Sequence, residues 1–166
     1  MNSKNALVVI DIQNYFIDEC TKPLLNKITT LIESSNFDFV LFSKFVNNSD
    51  SNFYKLLKWK ECETSPGIDI HPAMSKFVNK NNVFDKSTFS IFKSKIVDFF
   101  AKHNISKIYL CGVDIDACVL ASAYDGFDLG YDIEILKDCS LSSSGLELEE
   151  PTIKIIEKNL EQLKVL

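Results

Sequence analysis

The chain has 166 residues, of which 46% are hydrophobic. This length and composition predict a single globular domain over residues 1–166 with a substantial core. Its apolar runs fall far short of the roughly 20 residues that span a bilayer, and the start of the chain is polar, so we expect no membrane partner, no signal peptide and a cytoplasmic location. The net charge of −5 argues against nucleic acid as a partner, because phosphate binding needs a clustered basic face.

The number of cysteines is odd and their spacing is irregular, which is typical of free thiols. They are Cys20, Cys62, Cys111, Cys118 and Cys139. This pattern fits neither a disulfide framework nor a CxxC zinc site. We therefore expect most of them to be small buried side chains in a reducing compartment, with room for one reactive thiol.

The first half of the chain begins with strand-like segments. Residues 6–10 form a continuous apolar run, which is typical of a strand buried on both faces. Thr21 and Pro23 open a helix with one apolar face, and residues 37–45 form a second predicted strand. The segment 46–80 is polar and irregular, with the indication of one short helix at 53–59.

The second half continues the alternation. Strands are predicted at 83–86, 107–112 and 131–138, helices at 90–102, 116–129 and 150–159, and the residues 163–166 leave room for a short sixth strand. Repeated strand-then-helix units predict a parallel sheet with helices on both faces. The expected fold is a three-layer α/β/α arrangement with a mostly parallel sheet of five to six strands.

Three chemically active residues fall at the carboxyl ends of predicted strands. Asp11 follows the first strand, Lys86 ends the third, and Cys118 follows the fourth where a helix begins. Taken singly they have ordinary explanations as a structural acid, a surface lysine and a buried thiol. Ligands of parallel sheets bind at this edge, so the convergence of all three predicts an active site.

An acid, an amine and a thiol are suited to acyl transfer through a thioester. A helix N-terminus and a nearby ammonium can lower a cysteine pKa from about 8.5 into the range of roughly 3.5–7.5, and we expect this for Cys118. Asp11 is expected to take the thiol proton and to deliver it to a leaving amine. Lys86 is expected to keep Asp11 ionised and to stabilise the thiolate of Cys118.

Three motifs support this interpretation. "ALVVIDIQNYF" (6–16), "DKSTFSIF" (85–92) and the stretch from "YLCGVDIDACV" to "DCSLS" (109–142) occur in order along nearly the whole chain. In these motifs the chain resembles the isochorismatase-like cysteine hydrolases, a superfamily that contains nicotinamidases, N-carbamoyl amidohydrolases and isochorismatases.

The resemblance implies roles for particular residues. It places a catalytic triad on Asp11, Lys86 and Cys118, and a non-proline cis peptide bond between Val113 and Asp114. The backbone N–H groups of Asp114 and Cys118 would then form an oxyanion hole.

The resemblance also implies a pocket for a small-molecule substrate. Phe16, Phe45 and Trp59 are its expected aromatic walls. Relatives usually self-associate, so a homo-oligomer is expected.

The chain departs from its relatives at the positions of metal ligands. Glu61 stands where nicotinamidases carry a metal-binding histidine, and residues 43–48 lack the D-x-H motif found there. Only two histidines are present, and His71 before Pro72 is expected to be structural. We therefore expect no metal and no cofactor.

The sequence thus predicts a metal-independent cysteine hydrolase that cleaves a C–N bond of a small amide or carbamoyl substrate. Ile115 replaces the threonine of most relatives, which alters contacts close to Cys118. Two alternatives stay open: an isochorismatase-type hydrolase, in which an acid protonates a vinyl ether, and a non-catalytic or redox-sensing relative that keeps the fold.

Overall fold

The computed structural model describes residues 3–160 and the backbone of residues 163–164. Its sheet has six parallel strands in the order β3-β2-β1-β4-β5-β6. The strands are β1 (Lys4–Ile10), β2 (Phe39–Phe45), β3 (Val83–Lys86), β4 (Ile105–Gly112), β5 (Asp132–Ser140) and β6 (Leu163–Lys164). The parallel sheet and the short sixth strand predicted from the sequence are confirmed.

Helices cover both faces of the sheet, as predicted. They are α1 (Leu24–Ser34), α2 (Asn52–Lys55), α3 (Ser94–His103), α4 (Leu120–Asp128) and α5 (Leu146–Leu160), with a π-helical turn at Ile115–Val119. Successive side chains of β1 alternate between two buried clusters, because strand side chains point to opposite faces. Val8 packs with residues of α3, α4 and α5, whereas Val9 packs with residues of α1. One cluster lies on each face of the sheet, so the sheet and the helices on its two sides form three layers.

Two helices begin at residues that the periodicity does not indicate. The helix predicted at 90–102 begins only at Ser94, because side-chain hydroxyls accept the backbone N–H groups just before it: Ile91 donates to Ser122 Oγ and Phe92 to Ser90 Oγ. The last helix begins at Leu146 and includes Pro151, where the sequence had indicated its start. Among the described residues, no helix has the length and apolarity needed to cross a bilayer.

Gly112 brings the end of β4 against β1. Its φ of +121° is a conformation that L side chains rarely adopt, and a Cβ there would overlap the carbonyl oxygen of Ile10. The Val113 N–H donates to this same carbonyl at 3.0 Å. The close approach places the turn that carries Cys118 beside the chain that leaves β1 at Asp11.

Polar side chains hold the irregular segment 46–80 against the sheet. The Gln13 side chain accepts the backbone N–H of Phe45 at 2.6 Å and donates to the carbonyls of Phe45 and Ile68, both at 2.8 Å. Asn47 Nδ2 donates to the carbonyl of Trp59 at 2.9 Å. These bonds fix where Phe45 and Trp59 stand at the carboxyl edge of the sheet.

Candidate active site

Asp11, Lys86 and Cys118 meet at the carboxyl edge of the sheet. Asp11 directly follows β1, Lys86 is the last residue of β3, and Cys118 lies in the π-helical turn after β4. The Lys86 ammonium is 2.6 Å from Asp11 Oδ2 and 3.4 Å from Cys118 Sγ. Both contacts are direct, so the three groups predicted from the sequence to converge do so.

The charged pair is almost fully buried and well supplied with partners. The side chains of Lys86 and Asp11 are 3% and 1% exposed. Lys86 Nζ also donates to the carbonyl of Thr88 at 3.0 Å, so the three donors of the ammonium face an acceptor each. Asp11 Oδ1 accepts the Ser43 hydroxyl at 2.6 Å, while the Ser43 oxygen accepts the Asp11 backbone N–H at 3.2 Å.

The surroundings of Cys118 correct one expectation from the sequence. Burial first, and the charge of Asp11 second, raise the pKa of the Cys118 thiol above its ordinary value, and Lys86 lowers it by less. The expected depression of this pKa was therefore wrong, and at neutral pH Cys118 is a protonated thiol. Burial lowers the pKa of Lys86, but Asp11 and Cys118 outweigh it and raise this pKa, so the ammonium stays charged.

The turn before Cys118 has an unusual backbone. The peptide bond between Val113 and Asp114 is cis. The carbonyl of Asp114 accepts the N–H groups of Ala117 and Val119 at 3.0 and 3.1 Å, and this folds the turn back on itself. No described residue accepts the N–H of Asp114, and Asp114 and Cys118 line the same cavity.

The Asp114 side chain is tied to the loop after β5. Its Oδ1 accepts the Ser143 backbone N–H at 2.7 Å, and its Oδ2 accepts the Ser143 hydroxyl at 3.0 Å. Burial raises the pKa of the Asp114 carboxyl, and the charges of Asp116 and Asp11 add to the rise, while the two bonds from Ser143 lower it. The carboxyl group is therefore held in one place next to the nucleophile.

A cavity of about 300 Å³ opens at Cys118. Its lining is mostly aromatic and consists of Phe16, Phe45, Phe53, Leu57, Trp59, Phe89, Asp114, Ala117 and Cys118. The three aromatic residues expected there from the resemblance are present. Phe53, Leu57 and Phe89 were missed, although Phe89 lies inside the motif "DKSTFSIF" and Phe53 opens the predicted short helix.

The aromatic rings of the cavity contact one another. Phe53 lies at the centre, with ring centroids 4.8 Å from Phe45, 5.8 Å from Trp59 and 4.6 Å from Phe89. Such edge and tilted contacts stabilise aromatic clusters beyond their burial. Leu57 and Phe89 are 62% and 45% exposed, so one side of the cavity is open to solvent.

No metal site is built from the residues that the structure describes. Among them, no group of three or more His, Cys, Asp or Glu side chains lies close enough together to hold a metal ion. His71 Nδ1 accepts the Ala73 N–H at 3.2 Å and so caps a 3₁₀ turn, the structural role expected for it. The Glu61 carbonyl accepts Asn47 Nδ2 at 3.0 Å, which fixes the backbone of the loop.

The other four cysteines are free thiols away from the lining of the cavity. Cys20 is exposed, whereas Cys62, Cys111 and Cys139 are buried. Cys139 lies within β5, where the sequence had placed it just beyond the strand. Burial raises the pKa of Cys62 to about 12, with contributions from Asp11 and Glu61. Cys118 is thus the cysteine that combines a cavity with a paired ammonium.

Comparison with known proteins shows the family to which the sequence matches and where this fold recurs. Residues 5–162 match the isochorismatase domain family. A protein named Nicotinamidase 3 from Arabidopsis thaliana is 26% identical over 161 residues, which cover 92% of this chain and 80% of the relative.

Solved structures have the same fold. An isochorismatase-like hydrolase from Alkaliphilus metalliredigens superposes with a TM-score of 0.86 at 17% identity, over 98% of this chain and 95% of the other. N-carbamoylsarcosine amidase from Thermoplasma acidophilum gives a TM-score of 0.82 at 18% identity, over 98% and 96%. At these identities the likeness concerns the fold alone.

Proposed function

The chain belongs to the isochorismatase family of hydrolases, and we propose that it is a cysteine hydrolase that cleaves a C–N bond of a small amide or carbamoyl compound through a thioester on Cys118. One observation carries the proposal: Lys86 Nζ lies 3.4 Å from the Cys118 sulfur and 2.6 Å from the Asp11 carboxylate, beside a ligand-sized cavity. The names of its relatives, nicotinamidase and N-carbamoylsarcosine amidase, support the substrate class.

In the first half of the reaction, the thiol of Cys118 gives its proton to Asp11 as the sulfur attacks the substrate carbonyl carbon. The carbonyl oxygen becomes an oxyanion and accepts the backbone N–H groups of Asp114 and Cys118. The carboxylic acid of Asp11 then protonates the amide nitrogen, the C–N bond breaks, and ammonia or an amine leaves. A thioester on Cys118 remains.

In the second half, water attacks the thioester carbon and gives a proton to Asp11. The C–S bond breaks, the acid product leaves, and the sulfur recovers its proton from Asp11. Lys86 keeps its charge throughout, because Asp11 and Cys118 raise its pKa. Its role is to stabilise the negative charge that passes between the carboxylate and the sulfur.

The proposed reaction proceeds without a metal. The Asn47 side chain, which lies in a region where nicotinamidases carry ligands, donates hydrogen bonds to the backbone carbonyls of Trp59 and Glu61, and these bonds shape the loop around the cavity. Self-association and a cytoplasmic location stay predictions.

Ammonia release from a panel of small primary amides tests the proposal. The Cys118→Ala variant should lose at least about a thousandfold in rate, since loss of a nucleophile costs up to about a millionfold in other hydrolases. Cys20→Ala is the matched control, because that thiol is exposed and outside the cavity, and it should keep the wild-type rate.

The same panel, extended to carbamoyl compounds and vinyl ethers with detection of the hydrolysed products, separates the alternatives. Hydrolysis that survives Cys118→Ala would contradict the covalent route and favour acid catalysis of the isochorismatase type. Complete inactivity of the wild-type protein on all small amides, carbamoyl compounds and vinyl ethers would favour a non-catalytic relative.

A further inference from the structure

The lining of the cavity carries one charged side chain. Among the described residues at its wall, Asp114 is the acid, and the others are aromatic, aliphatic or the nucleophile itself. No lysine is part of this lining, and all 18 basic residues of the chain are lysines. The charge that this lining can offer to the body of a ligand is therefore the negative charge of the ionised Asp114 carboxylate, and a bound cation favours that ionised form.

Lys86 does not offset this negative charge. Its ammonium is the cation closest to the nucleophile, but its donors are directed to Asp11, Thr88 and Cys118. A carboxylate on a ligand would have to compete with Asp11 for this ammonium. It would also face the carboxyl group of Asp114, with the charges of Asp116 and Asp11 near enough to raise the pKa of that group. An anionic ligand is therefore disfavoured.

The aromatic walls favour the opposite charge. Electron-rich ring faces attract cations, and a set of rings around one site is a common way to bind an ammonium group. A contact of this kind is present at the cavity wall, since Lys86 Nζ lies 5.1 Å from the centroid of the Phe45 ring. Phe16, Phe53 and Trp59 line the same cavity and add further rings to its wall.

From this combination we propose that the cavity selects small amides that carry a positive charge on an apolar or aromatic body, with Asp114 as the specificity-determining residue. The inference rests on the proposed function, whose substrate it narrows. Ser143 bonds to both carboxylate oxygens of Asp114, but each oxygen has two lone pairs, so both can still accept from a ligand.

Binding to the inactive Cys118→Ala protein, measured by calorimetry, tests the inference without turnover. Three matched amides of butyric acid type serve as probes: one ends in a trimethylammonium group, one in the isosteric tert-butyl group, and one in a carboxylate. The cation should bind about tenfold more tightly than its neutral isostere, from a desolvated cation–π contact and the charge of Asp114, and the anion should bind most weakly.

Two further substitutions, each combined with Cys118→Ala, assign the effect to Asp114. Asp114→Asn keeps the shape of the side chain and its bonds to Ser143 but removes the charge. The affinities for the cation and for its isostere should then differ by no more than about threefold, which is the contribution of the aromatic rings. Ser143→Ala removes a hydroxyl bond, keeps the charge, and should preserve the full preference.

The outcomes separate this inference from the proposed function. Equal binding of the cation and its isostere to the Cys118→Ala protein, or no binding of any probe, would overturn it, and this comparison needs no change at Asp114. An undiminished preference in the Asp114→Asn protein would overturn the role of Asp114. Tight, selective binding of the cation with no hydrolysis by the wild-type protein would support the inference and count against the hydrolase.

Discussion

Two lysine–carboxylate clusters lie at opposite edges of the sheet. At the carboxyl edge, Lys86 is 2.6 Å from Asp11, and at the amino edge, Lys107 is 2.6 Å from Glu134 and 3.3 Å from Asp132. The lysine side chain is 3% exposed in the first cluster and 31% in the second. The shortest contacts are equally close, so burial separates the two clusters more clearly than distance.

Burial and surroundings, rather than contact distance, mark the ion pair of the candidate active site. Both lysines have a raised pKa: that of Lys107 because Glu134 bonds to it, and that of Lys86 because Asp11 and Cys118 outweigh its burial. The direction of the lysine pKa shift is therefore the same in both clusters and does not distinguish them. The cluster of Lys86 and Asp11 differs in holding a thiol, adjoining a cavity and excluding water. Exposed ion pairs contribute little to the free energy of unfolding, whereas removing one partner of a buried ion pair reduces it strongly.

The largest expected contrast is in catalysis. Asp11→Asn removes the proton carrier and should lower the rate of ammonia release by roughly a hundredfold to ten-thousandfold. Asp132→Asn makes the same chemical change in the exposed cluster and should leave the rate within about twofold. Steady-state assays on one amide check both. Comparable losses in the two variants would mean that the contrast reflects general destabilisation.

The second contrast is in stability. Lys86→Met leaves Asp11 buried without its ion pair and should reduce the free energy of unfolding by roughly 3–5 kcal/mol. Asp132→Asn should cost no more than about 1 kcal/mol, because the Asp132 side chain is 50% exposed and water replaces its contact with Lys107. Urea unfolding followed by circular dichroism measures both. If the two substitutions cost the same, burial does not distinguish the clusters.

The third prediction concerns the thiol. Because the pKa of Cys118 is raised, its alkylation by iodoacetamide should keep rising with pH over roughly pH 6–9, without a plateau. Asp11 contributes to the rise, so Asp11→Asn should lower the Cys118 pKa and speed its alkylation at neutral pH by about tenfold, although hydrolysis is lost.

Peptide mass mapping assigns each alkylation rate, and exposed Cys20 is the internal control. A plateau near neutral pH in the wild-type protein, or slower alkylation of Cys118 in the Asp11→Asn variant, would contradict this account of the thiol.

The smallest effect is expected at Ser43. Its hydroxyl donates to Asp11 Oδ1 at 2.6 Å, and a hydrogen bond to a charged group contributes roughly 1.5–3 kcal/mol. Ser43→Ala should lower kcat roughly tenfold and leave KM nearly unchanged, because Ser43 orients Asp11 without lining the cavity. Ser43→Thr keeps the hydroxyl and should restore most of the rate. A loss confined to KM would assign Ser43 to substrate binding instead.

The convergence of the three active-site groups follows from the sequence because parallel strands align their carboxyl ends. The apolar run before Asp11, the short strand that ends at Lys86 and the strand before Cys118 were each visible in the pattern. With the direction of every strand fixed, one edge of the sheet had to collect all three residues.

The walls of the cavity and the state of the thiol do not follow from such patterns. The segment 46–80 has no periodicity, and its path depends on individual bonds from Gln13 and Asn47 to distant carbonyls. This is why Phe53 and Leu57 were missed. The pKa of Cys118 depends on burial and on the nearness of Asp11, which no sequence spacing records.

The most direct test of the covalent route is partitioning between water and hydroxylamine. Amides and esters of one acid with different leaving groups pass through the same thioester on Cys118, so each should give the same ratio of hydroxamate to free acid. Cys118→Ala should give neither product. A ratio that changes with the leaving group, or hydroxamate formed by the Cys118→Ala protein, would contradict the thioester.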